Sequence, residues 1–151
     1  LLLLEQIEID LKAAMKQREA GKTRLAALRL LKATLHNARI EKGRALTESE
    51  ANDVLAREVN IRREMISEFE RAERPDRLAE VKGQLEVLLT YLPPQLSDSE
   101  LNELIHQAIS QVGAQGPADK GKVMAILMPQ IKGRADGRQA NGIVSRLLGK
   151  D

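Results

Sequence analysis

Apolar residues recur along this chain at intervals of three and four, and no segment of any length alternates β-branched with polar residues. That pattern confines the chain to one fold class, because side chains three and four apart share a helix face whereas a strand repeats every two residues. Leu4, Ile7, Leu11 and Ala14 make the first stripe, and Leu25, Leu28, Leu31, Leu35 and Ala38 make the second after a break at Gly21. Gly43 ends that helix. Thr47-Glu48-Ser49-Glu50 then has capping-box spacing: Thr47 can accept the backbone N–H of Glu50 while the Glu50 side chain reaches back. A long third helix is predicted from there, with an apolar face of Val54, Leu55, Ile61, Met65, Ile66 and Phe69, stopping before Pro75. Leu78, Val81, Leu85, Leu88, Leu89 and Leu92 define a fourth, inside which Gly83 costs about 1 kcal/mol relative to Ala.

Pro93-Pro94 cannot continue a helix, since each lacks a backbone donor and each pushes its predecessor out of the α region. A domain boundary is expected there, giving a helical part over 1–92 and a second over 96–151. Ser97-Asp98-Ser99-Glu100 is another capping box, opening a helix through Leu101, Leu104, Ile105, Ala108, Ile109 and Val112 that Gly113 closes. Two shorter helices follow: Ala118 to about Gln130, with Met124 and Met128 as adaptable core fillers, and Arg138 to Leu148, with Ile143, Val144, Leu147 and Leu148 inward. The expected architecture is all-α, four helices followed by a three-helix bundle.

Composition then removes functions. The absence of Cys excludes disulfides, thiolate catalysis and Cys-ligated zinc. Phe69 and Tyr91 are the only aromatic residues, which argues against readers that stack splayed bases on aromatic platforms. Leu1-Leu2-Leu3-Leu4 is followed at once by Glu5, Glu8 and Asp10, unlike a signal peptide, and no run is long enough to span a membrane. A cytoplasmic protein is expected, numbered from just inside its natural terminus. Formal charge is +2 overall but uneven: residues 1–11 are acidic, 12–44 strongly basic, 45–103 acidic and 104–151 basic again. Arg24, Arg29, Lys32, Arg39, Lys42 and Arg44 are expected to pair mostly within the chain, with Glu58, Glu64 or Glu68 as partners.

One stretch looks built to touch something. Between Lys120 and Arg138 the cations Lys120, Lys122, Lys132, Arg134 and Arg138 stand against one carboxylate, Asp136, and Gly133 and Gly137 flank a sharp corner between two helices. A basic face there, joined by the partial positive charge at the start of the last helix, would hold phosphates without reading bases. The plainer alternative is a solvated charge run on a structural turn, in which the glycines permit positive φ and Asp136 caps the last helix. His36 and His106 are the only histidines, on different predicted domains, and neither stands in a recognised triad; no catalytic residue, metal site, P-loop or cofactor is assigned.

Several segments also coincide in order and spacing: Leu30-Leu31-Lys32-Ala33 leading to Asn37-Ala38-Arg39-Ile40-Glu41-Lys42-Gly43-Arg44, then Tyr91-Leu92-Pro93-Pro94-Gln95-Leu96-Ser97, then Gly121-Lys122-Val123-Met124 through Lys132-Gly133-Arg134-Ala135-Asp136-Gly137. Together they resemble the YqeY family along nearly the whole chain. The resemblance implies a small bacterial all-α protein, similar to the C-terminal tail of the GatB component of the tRNA-dependent amidotransferase that amidates Glu-tRNA(Gln) or Asp-tRNA(Asn). In that enzyme the tail contacts the tRNA body and other domains do the chemistry. Lys132, Gly133, Ala135 and the helix bearing Val144 and Leu147 match the tail's Gly-x-Ala turn and final helix. Arg138-Gln139-Ala140-Asn141-Gly142 departs from the family pattern of a basic then an apolar residue, so a more polar, less rigid helix start is expected.

Three functions follow as expectations. The first is a monomeric, non-catalytic tRNA-binding accessory module that contacts phosphates through Lys120, Lys122, Lys132, Gly133, Arg134 and Arg138. The second is a helical protein–protein adaptor, its last three helices resembling small ubiquitin-associated-type folds. The third is a component of a carbon–nitrogen ligase with glutamine as amido-N-donor, the activity associated with the family, for which other chains would supply the chemistry.

Overall fold

The structure is a computed structural model that describes residues 2–149. Leu1, Lys150 and Asp151, on which the outer limits of the expected domains fall, lie outside the described residues. Among those described there are helices and no strands. The chain divides into two compact units, Leu1–Pro93 and Pro94–Asp151.

The first unit holds α1 (Leu3–Lys16), α2 (Lys22–Lys42), α3 (Glu48–Arg71) and α4 (Pro75–Leu89), with a 3₁₀ turn at Arg18–Gly21 between the first two. Its core is Ile7 and Leu11 of α1, Leu28, Leu31 and Leu35 of α2, Val54, Leu55 and Val59 of α3, and Leu88 of α4. Thr47 caps α3 as its spacing predicts: Glu50 N–H donates to Thr47 Oγ1 at 3.1 Å and Thr47 N–H to Glu50 Oε2 at 3.0 Å. Gly83 has a packing reason beyond tolerance, since a Cβ there would lie 2.9 Å from Thr23 Cγ2 of α2.

Three sequence expectations need correcting in this unit. Leu3, not Leu4, faces the core; Leu4 is 41% exposed. Four successive leucines leave the helical phase undetermined, and the phase is set by Ile7 and Leu11. Ile61 is exposed although it is apolar, and its inward place on α3 is taken by the ion pair Glu58–Arg62, both members of which are buried. Glu58 therefore does not serve the basic helix α2. Of those cations, Arg24 reaches Asp10 at 3.6 Å, Lys32 reaches Glu8 at 2.6 Å, and Lys42 and Arg44 meet Glu50 at 3.6 and 2.8 Å. The acidic start of the chain lies along α2 and neutralises it locally. Glu50 is held down at a pKa of about 2, first by the Arg44 guanidinium and then by the Thr47 N–H.

Tyr91, just past α4, closes the unit by donating its hydroxyl to Asp10 Oδ2 at 2.5 Å, while Gln6 Nε2 donates to Asp10 Oδ1 at 3.0 Å. Burial, followed by the Asp10 carboxylate that accepts its proton, pushes the Tyr91 phenol up to about 12. A raised folded-state pKa favours the neutral phenol, so this contribution is complete below the unfolded value near 10 and lost as pH rises toward 12. Wild type should lose more stability over that window than Tyr91→Phe, as measured by denaturant midpoints at each pH.

The second unit packs α5 (Asp98–Val112), α6 (Lys120–Ile131) and α7 (Gly137–Leu148) pairwise, with a 3₁₀ turn at Pro117–Asp119 ahead of α6. Leu101 and Ile105, Val123, Leu127 and Ile131, and Ala140 and Val144 meet in its core. Ser97 caps α5 by the expected box, its hydroxyl accepting Glu100 N–H at 3.1 Å. Leu147 does not point inward as the sequence implied. It is 47% exposed, and Val144 and Leu148, four apart, fix the phase of α7.

Candidate nucleic-acid interface

The corner between α6 and α7 is built from backbone geometry before any side chain acts. Lys132 leaves the helix with ψ 124°, and Gly133 turns the chain at φ +74°, a left-handed value that costs a residue with a Cβ about 1–2 kcal/mol. Arg134 N–H and Ala135 N–H both return to Ile131 O, at 2.8 and 3.0 Å. Gly137 has no positive φ, and a Cβ there would come 3.3 Å from Met128 Cε, the tip of a flexible and exposed side chain. Gly133→Ala should accordingly lower the stability of the second unit by about 1–2 kcal/mol, read by thermal melting of helical circular dichroism.

A second segment clamps this corner. Gln95 Nε2 donates to Gly133 O at 2.8 Å, Leu96 N–H donates to Arg134 O at 2.8 Å, and Arg134 Nε donates to Pro94 O at 3.3 Å. Pro94-Gln95-Leu96 and Lys132-Gly133-Arg134 are separate motifs in the sequence, and the fold makes them one object. Gln139 Nε2 adds a contact to Asp98 Oδ1 at 3.3 Å, joining the starts of α7 and α5. The polar opening of α7 is thus anchored instead of loose.

The start of the last helix is not an open anion site. Asp136 is its cap, accepting Arg138 N–H at 3.0 Å, so the helix-end charge is already met by a carboxylate. Asp98 and Glu100, in the first turn of α5, stand at the same end of the unit. Lys132 and Arg138 are exposed on the corner, while Arg134 is half-buried with its Nε on the Pro94 carbonyl.

The five cations do not form one face around the turn. Lys120 opens α6 and Lys132 follows its last residue, so a rise of 1.5 Å per residue sets them about 18 Å apart along the axis. Lys122 is exposed and lies 3.8 Å from Asp119. The Gln115 N–H, at 3.0 Å, and then the Lys122 ammonium hold the Asp119 carboxyl below its usual range. The structure therefore groups Lys132, Arg134 and Arg138 at one end and Lys120 with Lys122 at the other. His36 stands on α2 in the first unit and His106 on α5 in the second.

A family described as Yqey-like protein matches residues 4–148, which spans the clamp, the corner and, but for Leu3, the seven α-helices of the described residues. The chain belongs to the YqeY family. No curated protein matches the sequence. Among the described residues no helix is long and apolar enough to cross a membrane, and no three His, Asp or Glu side chains are gathered as a metal site. In this YqeY chain the Gln95–Gly133 clamp joins residues 38 apart that no local signal brings together.

Proposed function

We propose that this YqeY protein is a tRNA-binding accessory module that holds the phosphate backbone of a folded RNA and performs no chemistry itself. One observation carries the reading: Lys132 and Arg138 are exposed on a corner whose backbone is fixed by Gly133 and clamped by Gln95. Cations on a fixed turn lose less conformational freedom on meeting a phosphate than the same residues on a mobile loop. Lys120 and Lys122, about 18 Å away along α6, form a second contact point that suits an extended polyanion better than a small one. The resemblance of the Lys132, Gly133 and Ala135 turn to the amidotransferase tail, read from the sequence, favours a folded tRNA as the polyanion, with amidation belonging to other chains.

The test is filter binding or gel shift with bulk tRNA over a salt series. If all five cations meet phosphates, the log–log salt slope is roughly −3.5 to −4.5, and if only the corner group does it is roughly −2 to −3. No shift at micromolar protein in low salt would refute the proposal.

A further inference from the structure

The face of α2 turned away from the first core is more apolar than solvation alone requires. Ala26, Leu30, Ala33, Asn37 and Ile40 are all exposed and follow one another at spacings of four, three, four and three, which places them along one side of the helix. Leu30 is 47% and Ile40 65% exposed. Leu28, Leu31 and Leu35 bury a different side, so the stripe is not an edge of the core. All but Ala26 lie in the segments that carry the family resemblance, and packing within the unit does not account for them.

The flanks of the stripe differ. Lys22, Arg29 and His36 recur every seven residues along one side, all exposed, whereas Thr34 and Glu41 border the other. Arg29 and Arg39 form no ion pair among the described residues, unlike Lys32, which is held by Glu8. On the α1 side of this flank, outside the stripe, a half-open cavity of about 300 Å³ is lined by Leu4, Leu35, Leu46, His36, Arg39 and the Lys32–Glu8 ion pair.

We propose that this face of α2 docks an acidic amphipathic helix of a partner protein, about four turns long. The four-three spacing matches the surface repeat of a second helix, and Ala26 and Ala33 permit close approach of its backbone. The partner's carboxylates meet Lys22 and Arg29 on the cationic flank. A second copy fits less well: antiparallel pairing sets the cationic flank against itself, and parallel pairing offers only His36 against Glu41. RNA fits less well too, because phosphates gain nothing from Leu30 and Ile40.

The test uses the isotopically labelled full chain and two synthetic amphipathic peptides of equal length with leucine at the a and d positions. One carries glutamate at its flanking positions and the other lysine. The acidic peptide is expected to shift the amide resonances of Leu30, Ala33, Asn37 and Ile40, and the basic one to leave them in place. Leu30→Glu with Ile40→Glu should weaken binding at least about tenfold with helicity kept, and Arg29→Glu should move preference toward the lysine peptide. Should the double variant lose helicity, Ile40→Glu alone, at the more exposed position, carries the same test. Equal binding of both peptides, shifts confined to other residues, no shift at millimolar peptide, or a self-association abolished by Leu30→Glu would each overturn the proposal. So would tRNA moving these amides where the acidic peptide does not.

Discussion

Glu58→Ala is expected to destabilise the first unit by about 3–5 kcal/mol, the largest effect of any single substitution considered. The residue sits on the inward side of α3 with Arg62 one turn further on, and both side chains are withdrawn from water. Arg62 Nη1 also reaches the Glu58 carbonyl at 3.4 Å, whereas its Nε has no hydrogen-bond partner among the described residues. Removing the carboxylate leaves a permanently charged, buried guanidinium with one weak backbone acceptor. The penalty is that of an uncompensated charge, far beyond the net worth of the pair.

The same reasoning gives an opposite sign for the double replacement Glu58→Leu with Arg62→Met, which should be neutral or stabilising by up to about 4 kcal/mol. Tyr91 is the only tyrosine and belongs to the first unit, so its fluorescence in urea follows that unit while circular dichroism follows both. A Glu58→Ala cost below about 1 kcal/mol would mean that the pair is hydrated in solution.

Much of this architecture could be read from residue spacing because a helix records its buried face locally. Ile7, Leu11 and Ala14, or Leu28, Leu31 and Leu35, announce their side within two turns. The failures have physical causes of the same kind. At Leu1 to Leu4 the run is uniformly apolar, so it carries no phase. At Ile61 the residue type argued for burial, while the phase set by Val54, Leu55 and Val59 placed Glu58 and Arg62 inward. Residue type loses that contest when two opposite charges one turn apart can neutralise each other.

The candidate site was legible only in part, for a different reason. Gly133 and the Asp136 cap are local features, and both were within reach of the sequence. The clamp of Gln95 on Gly133 is a tertiary contact with no local signature. Grouping Lys120 and Lys122 with the corner failed because nearness along a helix is not nearness in space: one 12-residue helix separates them from Lys132.

That separation makes the second large prediction specific. Reversing charge at the corner with Lys132→Glu, Arg134→Glu and Arg138→Glu should reduce tRNA affinity at low salt by about a hundredfold or more, and should lower the magnitude of the salt slope by roughly 2–3. Lys120→Glu with Lys122→Glu should lower it by only about 1.4–1.8. Arg134 complicates the triple variant, since its Nε also holds the Pro94 carbonyl and reversal there can loosen the clamp. Lys132→Glu with Arg138→Glu avoids that contact. Gln95→Ala supplies the complementary control, for it removes the bond to Gly133 O and leaves every cation in place. If binding depends on charge held in fixed geometry, the Lys132 and Arg138 pair changes the salt slope, while Gln95→Ala weakens affinity at an unchanged slope. Equal tRNA binding by the charge-reversed and wild-type proteins, both folded by circular dichroism, would remove the corner from the interface.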